Sequence, residues 1–208
     1  MYIFSRTAAL NPHRLIEATG AAIEVGAMVT GITGNPVSVF ATRYGQPTNT
    51  IGWSVRVESQ AQLQADFEKL TVNEGYLQWV TAHAELFDGA PTDQLSTVVS
   101  STLASAPKRF YALVTGTAAN GKMADAVSFG VRAQQFVAEA TGLATAFMTS
   151  VYGAFGQVGW LTGADSASDL DALAQMQMTN ADYHKLVAEA GPLFIEGSGL
   201  NGLIEKLN

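Results

Sequence analysis

The polar and apolar positions of this chain change period several times, and they do so twice in the same order. Tyr2 to Thr7 opens the chain with a short run that predicts a strand. Asn11-Pro12 predicts a helix start, because Asn is a preferred cap and Pro suits the first helical position. Leu15, Ala18, Ala22, Val25, Val29 and Ile32 recur at three- and four-residue spacing, which gives that helix one apolar face. Gly34-Asn35-Pro36 ends it. Val37 to Tyr44 predicts a strand, Gly45 to Asn49 a turn, and Thr50 to Glu58 the returning strand. On that strand Ile51, Trp53, Val55 and Val57 share one face, with Gly52, Ser54, Arg56 and Glu58 on the other. Ser59-Gln60-Ala61-Gln62 has the form of a capping box, opening a helix that carries Leu63, Phe67 and Leu70. Asn73 predicts a second cap, before a helix carrying Tyr76, Leu77, Val80 and Ala84. Asp88-Gly89-Ala90-Pro91 predicts its stop, and weak alternation at Leu95, Thr97 and Val99 predicts a last strand.

The second half repeats this order. Arg109 to Thr115 predicts a strand, and Asn120-Gly121 opens a helix with Met123, Val127, Val131, Val137 and Ala140 on its apolar face. Leu143 to Tyr152 and Gln157 to Leu161 predict a hairpin, and Ser166 to Met178 with Ala181 to Ala190 a second, broken helix. The identities are specific. Gly52-Trp53, Asn73, Tyr76, Val80 and Leu86-Phe87 return at a step of 107 residues as Gly159-Trp160, Asn180, Tyr183, Val187 and Leu193-Phe194. Val29, Thr33 and Gly34 return at a step of 108 as Val137, Thr141 and Gly142. This is an internal duplication. It assigns 1–100 to a first repeat, 101–107 to a small-residue linker and 108–208 to a second repeat. It also moves the weak strand of the first repeat onto 201–207, where the local sequence alone would read as a short helix.

Composition narrows the function classes. The chain has 208 residues, 48% of them apolar, enough for a sizeable core. Net charge is −7, and the eleven basic residues are scattered, which argues against nucleic acid and against anionic membranes as partners. Cysteine is absent, which removes disulfides, thiolate metal sites and a cysteine nucleophile. The N-terminal residues lack a basic region followed by an apolar run, and no stretch reads as a membrane span, so a cytoplasmic location is expected.

Each half has the order β-α-β-β-α-β, the ferredoxin-like α+β arrangement. Its antiparallel sheet carries helices on one face only, so the bare faces of the two halves are expected to pack sheet to sheet as an intramolecular barrel. The two Gly-Trp strands and the two Asn-x-x-Tyr helix breaks carry a resemblance to the dimeric α+β barrel superfamily in fused, tandem form. That resemblance implies one of several roles: cofactor-free oxygenation as in antibiotic-biosynthesis monooxygenases, dehydration, isomerisation or haem handling. Fold does not choose among them.

Candidate chemistry is sparse. Gly116 to Met123 matches G-x-x-x-x-G-K, but Met123 stands where a phosphate loop needs a hydroxyl, so a β-to-α turn capped by Asn120 is the better reading. No metal-ligand spacing is present among His13, His83 and His184. The resemblance gives His184 the one cofactor role open to it, as an axial ligand if haem is bound; otherwise no cofactor is expected. Trp53 and Trp160 read either as anchors of sheet to helix or as walls for a flat apolar ligand. If Trp53 faces the helices, Arg6, Thr42, Tyr44, Arg56, Ser150 and Tyr152 are placed on the opposite, barrel-facing side. There Arg6, Tyr44, Arg56 and Tyr152 would orient an enolate or phenolate, with Thr42 and Ser150 contacting the ligand. An arginine so placed needs a carboxylate or an anionic ligand. The ordinary alternative puts Arg56, beside Glu58, at an open rim in water. The expected function is the binding of a small, largely apolar organic molecule between sheet and helices, with monooxygenase-like chemistry. The rival is a non-catalytic assembly subunit, or a homo-oligomer, that uses its helical faces.

Overall fold

In the computed structural model, residues 1–103 and 106–208 are described. The linker expected at 101–107 includes 104 and 105, which lie outside the described residues. The first repeat consists of β1 (Tyr2–Leu10), α1 (Leu15–Thr33), β2 (Ser38–Tyr44), β3 (Thr50–Val57), α2 (Gln60–Thr71), α3 (Glu74–Ala82), a 3-10 turn (Ala84–Leu86) and β4 (Phe87–Ser101). The second consists of β5 (Phe110–Thr117), α4 (Met123–Thr141), β6 (Ala144–Tyr152), β7 (Gln157–Ala164), α5 (Ala167–Thr179), α6 (Ala181–Ala188) and β8 (Leu200–Lys206). The strands form one closed antiparallel barrel in the order β1-β3-β2-β8-β5-β7-β6-β4. Read around the ring, this is the ferredoxin-like order 4-1-3-2 twice over. The fold is α+β, as the duplicated pattern predicts, and the final strand is the one the duplication places there.

The chain divides into two compact units, Met1–Leu95 with Glu205–Asn208, and Ser96–Ile204. In the first unit, β1 and β3 pair from Tyr2↔Val57 to Ala9↔Thr50, and β2 pairs with β3 through Val39↔Trp53. Ala18, Ala21, Ala22, Val25 and Gly26 are the buried positions of α1. A Cβ on Gly26 would stand 2.7 Å from the Val39 side chain, so the close approach of α1 to β2 requires glycine there. The chain end is tied into the same unit: the Leu207 amide donates to Val39 O, and the Asn208 side chain bonds Val39 N and Val37 O. In the second unit, β5 and β6 flank β7 in the matching registers, with Val114↔Trp160 and Phe147↔Trp160.

Caps explain the helix breaks. Ser59 Oγ accepts from the Gln62 amide, while the Gln62 side chain accepts from the Glu58 amide. Asn73 Oδ1 accepts from the Tyr76 amide, and Asn180 Oδ1 from those of Asp182 and Tyr183, so the same cap recurs in both halves. Gly34 and Gly142 close α1 and α4 in left-handed conformations, at φ 82° and 69°.

Several boundaries differ from the sequence reading. Asn11 does not cap α1; its side chain accepts from the His13 amide in a turn, and the helix starts at Leu15 behind Arg14. Asn120 does not cap α4 either: the helix starts behind Lys122, whose ammonium bonds Asp125 instead of standing free for a phosphate. Asp88 to Pro91 are not a stop but the start of the fifteen-residue β4. Finally, α1 is long and apolar enough to cross a membrane by length and composition, with a mean hydropathy of 1.4, which corrects the expectation that no segment approaches this. Its Leu, Ile and Val residues supply most of that hydropathy, while the buried alanines and Gly26 let the helix lie close on the sheet.

A candidate ligand cavity in the first repeat

The Trp53 indole is the fixed point of the site. Its Nε1 donates to Ala22 O on α1, 2.8 Å away, which ties β3 to that helix. Trp160 does the same in the second repeat, its Nε1 donating to Gly130 O on α4 at 2.9 Å. The anchoring reading of both tryptophans therefore holds. Trp53 does more: it lines a cavity of about 320 Å³ within the first repeat, between the sheet and α1, α2 and α3. Phe4, Val29, Val55, Phe67 and Trp79 supply much of its apolar wall. Phe4 and Phe67 meet edge to face, ring centres 5.4 Å apart, which packs α2 against β1.

Polar groups sit at defined points of this wall. Arg6 lines it, and its guanidinium makes a two-pronged pair with Asp93 on β4: Nε to Oδ1 and Nη2 to Oδ2, each 2.7 Å. The Asp93 hydrogen bond raises the Arg6 pKa above its ordinary value, burial opposes the rise, and the Tyr76 side chain adds a smaller increase through its own hydrogen bond and charge. Asp66 also lines the cavity and is 6% exposed. Its carboxylate accepts from the Asn35 amide group and from Lys69 Nζ at 3.1 Å. Trp79 is 9% exposed, stacks on His83 with ring centres 4.2 Å apart, and holds a buried Nε1 that has no hydrogen-bond partner. A buried donor left unpaired is uncommon and costly.

The structure gathers only part of the sequence-derived set here. Arg6 belongs to the site, but on the other side of the sheet from the one expected. It pairs directly with Trp53, and directly opposed residues of an antiparallel pair point to the same face. The carboxylate that a confined arginine needs is Asp93, from the chain itself. Arg56 lies three pairings away at Ile3, out of phase with Trp53 and so on the face away from the helices. Thr42 is buried at 5% exposure, on the same out-of-phase set of β2. Tyr44 and Tyr152 are 72% and 62% exposed at the hairpin ends, and Ser150 Oγ donates to Tyr152 O at 3.3 Å; none of these three lines the cavity. Trp160 stands in the second unit with Phe129, Phe147 and Phe194 packed on it at ring-centre distances of 6.2, 5.1 and 6.0 Å.

Sequence reasoning missed Asp66, Asp93 and Trp79. Asp66 carried a signal: it falls within the Leu63, Phe67, Leu70 stripe of α2, where a carboxylate is out of place. Trp79 follows Tyr76 by three residues on α3, which turns both toward the same side. Asp93 carried none, because its partner lies 87 residues away.

Haem does not fit the residues present. His184 is exposed on α6, its Nε2 lies 2.8 Å from Gln177 O, and no histidine lines the cavity. Among the described residues no group of three or more His, Asp or Glu side chains gathers to hold a metal ion.

No protein-family profile and no curated protein sequence matches this chain. Solved structures do. The fold is similar to a proposed monooxygenase of Fusobacterium nucleatum subsp. nucleatum, with a TM-score of 0.72 and 6% identity over 100% of this chain and 92% of that one. It is similar to an anthrone oxidase-like protein at a TM-score of 0.70 and 12% identity, over 100% and 91%. A regulator of staphylococcal pathogenesis matches at a TM-score of 0.59 and 6% identity, over 100% of both chains. At these identities the likeness is one of fold alone, an α+β arrangement of two ferredoxin-like repeats shared along the whole of this chain. The third neighbour shows why the activity must be argued from the site.

Proposed function

We propose that this protein binds a small, largely apolar organic molecule in the cavity beside Trp53. The observation that carries the reading is the cavity itself, about 320 Å³ with a mainly aliphatic and aromatic wall, within the range of small-molecule sites. The unpartnered Trp79 Nε1 in that wall supports it, since a ligand oxygen would supply the missing acceptor. Two of the neighbouring folds are described as monooxygenase or anthrone oxidase-like. An oxygenation here would need donors at the wall to hold a developing oxyanion, and the Tyr76 hydroxyl and the unpartnered Trp79 indole N–H are the groups so placed. The substrate would enter between sheet and helices, with the apolar wall excluding water from the reacting carbon.

Calorimetric titration with 2-naphthamide, an uncharged two-ring probe, tests the binding step. Saturable binding to the wild-type protein is expected, together with its loss in Val29→Trp, which places an indole in the cavity. Filling an empty space with apolar surface should also raise the melting temperature of that variant. Binding that persists in Val29→Trp, or no binding of the probe at all, overturns the assignment.

A second reading has its own observation. Ile16, Val72 and Met178 are 93%, 79% and 76% exposed, on or at the ends of helices, and Leu77 is 45% exposed on α3. We propose these as the contact residues of the assembly role, which requires no cavity.

A further inference from the structure

We infer that the cavity beside Trp53 selects uncharged ligands, and that Asp93 is the residue that sets this selectivity by acting as the internal counter-ion of Arg6. The inference rests on the ligand-binding reading of that cavity. Two charged side chains line it, Arg6 and Asp66, and each already has its opposite charge in place. Both prongs of the Arg6 fork are taken by Asp93 at 2.7 Å, and Asp66 is held by Lys69 at 3.1 Å and by Asn35. Arg6 and Asp93 keep 35% and 43% of their side-chain surface, so the pair stands where an entering ligand meets both water and the apolar wall. A charged ligand would give up its hydration and find no uncompensated partner inside, whereas an uncharged one loses little.

The second repeat shows that the pair is not required by the fold. The residue paired with Trp160 is Val114, in the place that Arg6 holds against Trp53, and Leu200 stands one repeat step from Asp93. The second repeat therefore carries two apolar residues at the positions that correspond to the ion pair. A matched ion pair at the cavity wall is a property of the first repeat alone, and it supplies polarity without net charge.

The test compares 2-naphthamide with 2-naphthoate, which share their rings and differ in charge. Wild-type protein should bind the amide at least ~10-fold more tightly than the carboxylate. In Asp93→Asn the fork loses its counter-charge, and naphthoate affinity should rise ~10-fold while amide affinity stays within ~2-fold. The gain should shrink with added salt and should be absent from Arg6→Val/Asp93→Leu, which copies the second repeat. That double variant also serves if Asp93→Asn unfolds, because it should keep the amide and still reject the carboxylate. If wild-type protein binds both probes equally, or if Asp93→Asn leaves their ratio unchanged, the selectivity assignment falls while the cavity reading stands. If neither probe binds wild-type protein, the cavity reading falls and takes the selectivity with it.

Discussion

Trp53 and Trp160 make the same hydrogen bond to the same turn of equivalent helices, yet their surroundings differ. Trp160 is packed by Phe129, Phe147 and Phe194, and a Cβ on Gly130 would lie 2.2 Å from the Phe147 ring. In the first repeat the equivalents of Gly130 and Phe147 are Ala22 and Val39, fully buried and smaller in sum on the strand side. Trp53 has Phe87 at 5.8 Å and a cavity beside it. The buried Gln134, bonded to Ser100 and Thr145, fills a place where the first repeat has Gly26. The lesson is that one duplicated scaffold supports two interiors. One is packed with rings and stabilises; the other is left partly open and is the part free to acquire a ligand.

Phe147→Ala removes a fully buried ring and should cost ~3–5 kcal/mol in chemical denaturation. Val39→Ala at the matching position should cost only ~2 kcal/mol, because less surface is lost. Equal costs would mean that the two interiors are not packed as differently as the distances say. A smaller effect sharpens the same point. Gly130→Ala should destabilise by ~1–3 kcal/mol, since its methyl would enter the Phe147 ring. Adding Phe147→Val, which restores the first repeat's pairing of Ala with Val, should recover much of that loss, a coupling readable in a double-mutant cycle.

The architecture was legible in the sequence because both repeats announce it by the same chemistry. The Asn73 and Asn180 caps, the left-handed Gly34 and Gly142 and the two Gly-Trp strands each fix a local structure, and their recurrence fixed β8 where local propensity pointed to a helix. The candidate site was less legible. Arg6 was recognised as a confined cation, but its face depends on the register of β1 against β3, and a slip of one residue reverses every face of a strand. Tyr44 and Tyr152 follow the correct alternation, yet they lie where the strands run out into solvent. The start of β4 was read as a stop because Gly89-Ala90-Pro91 carries turn residues, and its pairing partners are distant in sequence. Asp93 was lost with it.

The chain holds three tryptophans, two in the cavity wall and one outside it, so their indole N–H signals in a 1H–15N spectrum report directly on the central claim. On titration with 2-naphthamide the signals of Trp53 and Trp79 should shift together and saturate, Trp79 moving furthest as its free Nε1 gains an acceptor, while Trp160 stays in place. A titration that moves Trp160, or leaves Trp53 and Trp79 unmoved at saturating probe, would contradict the account.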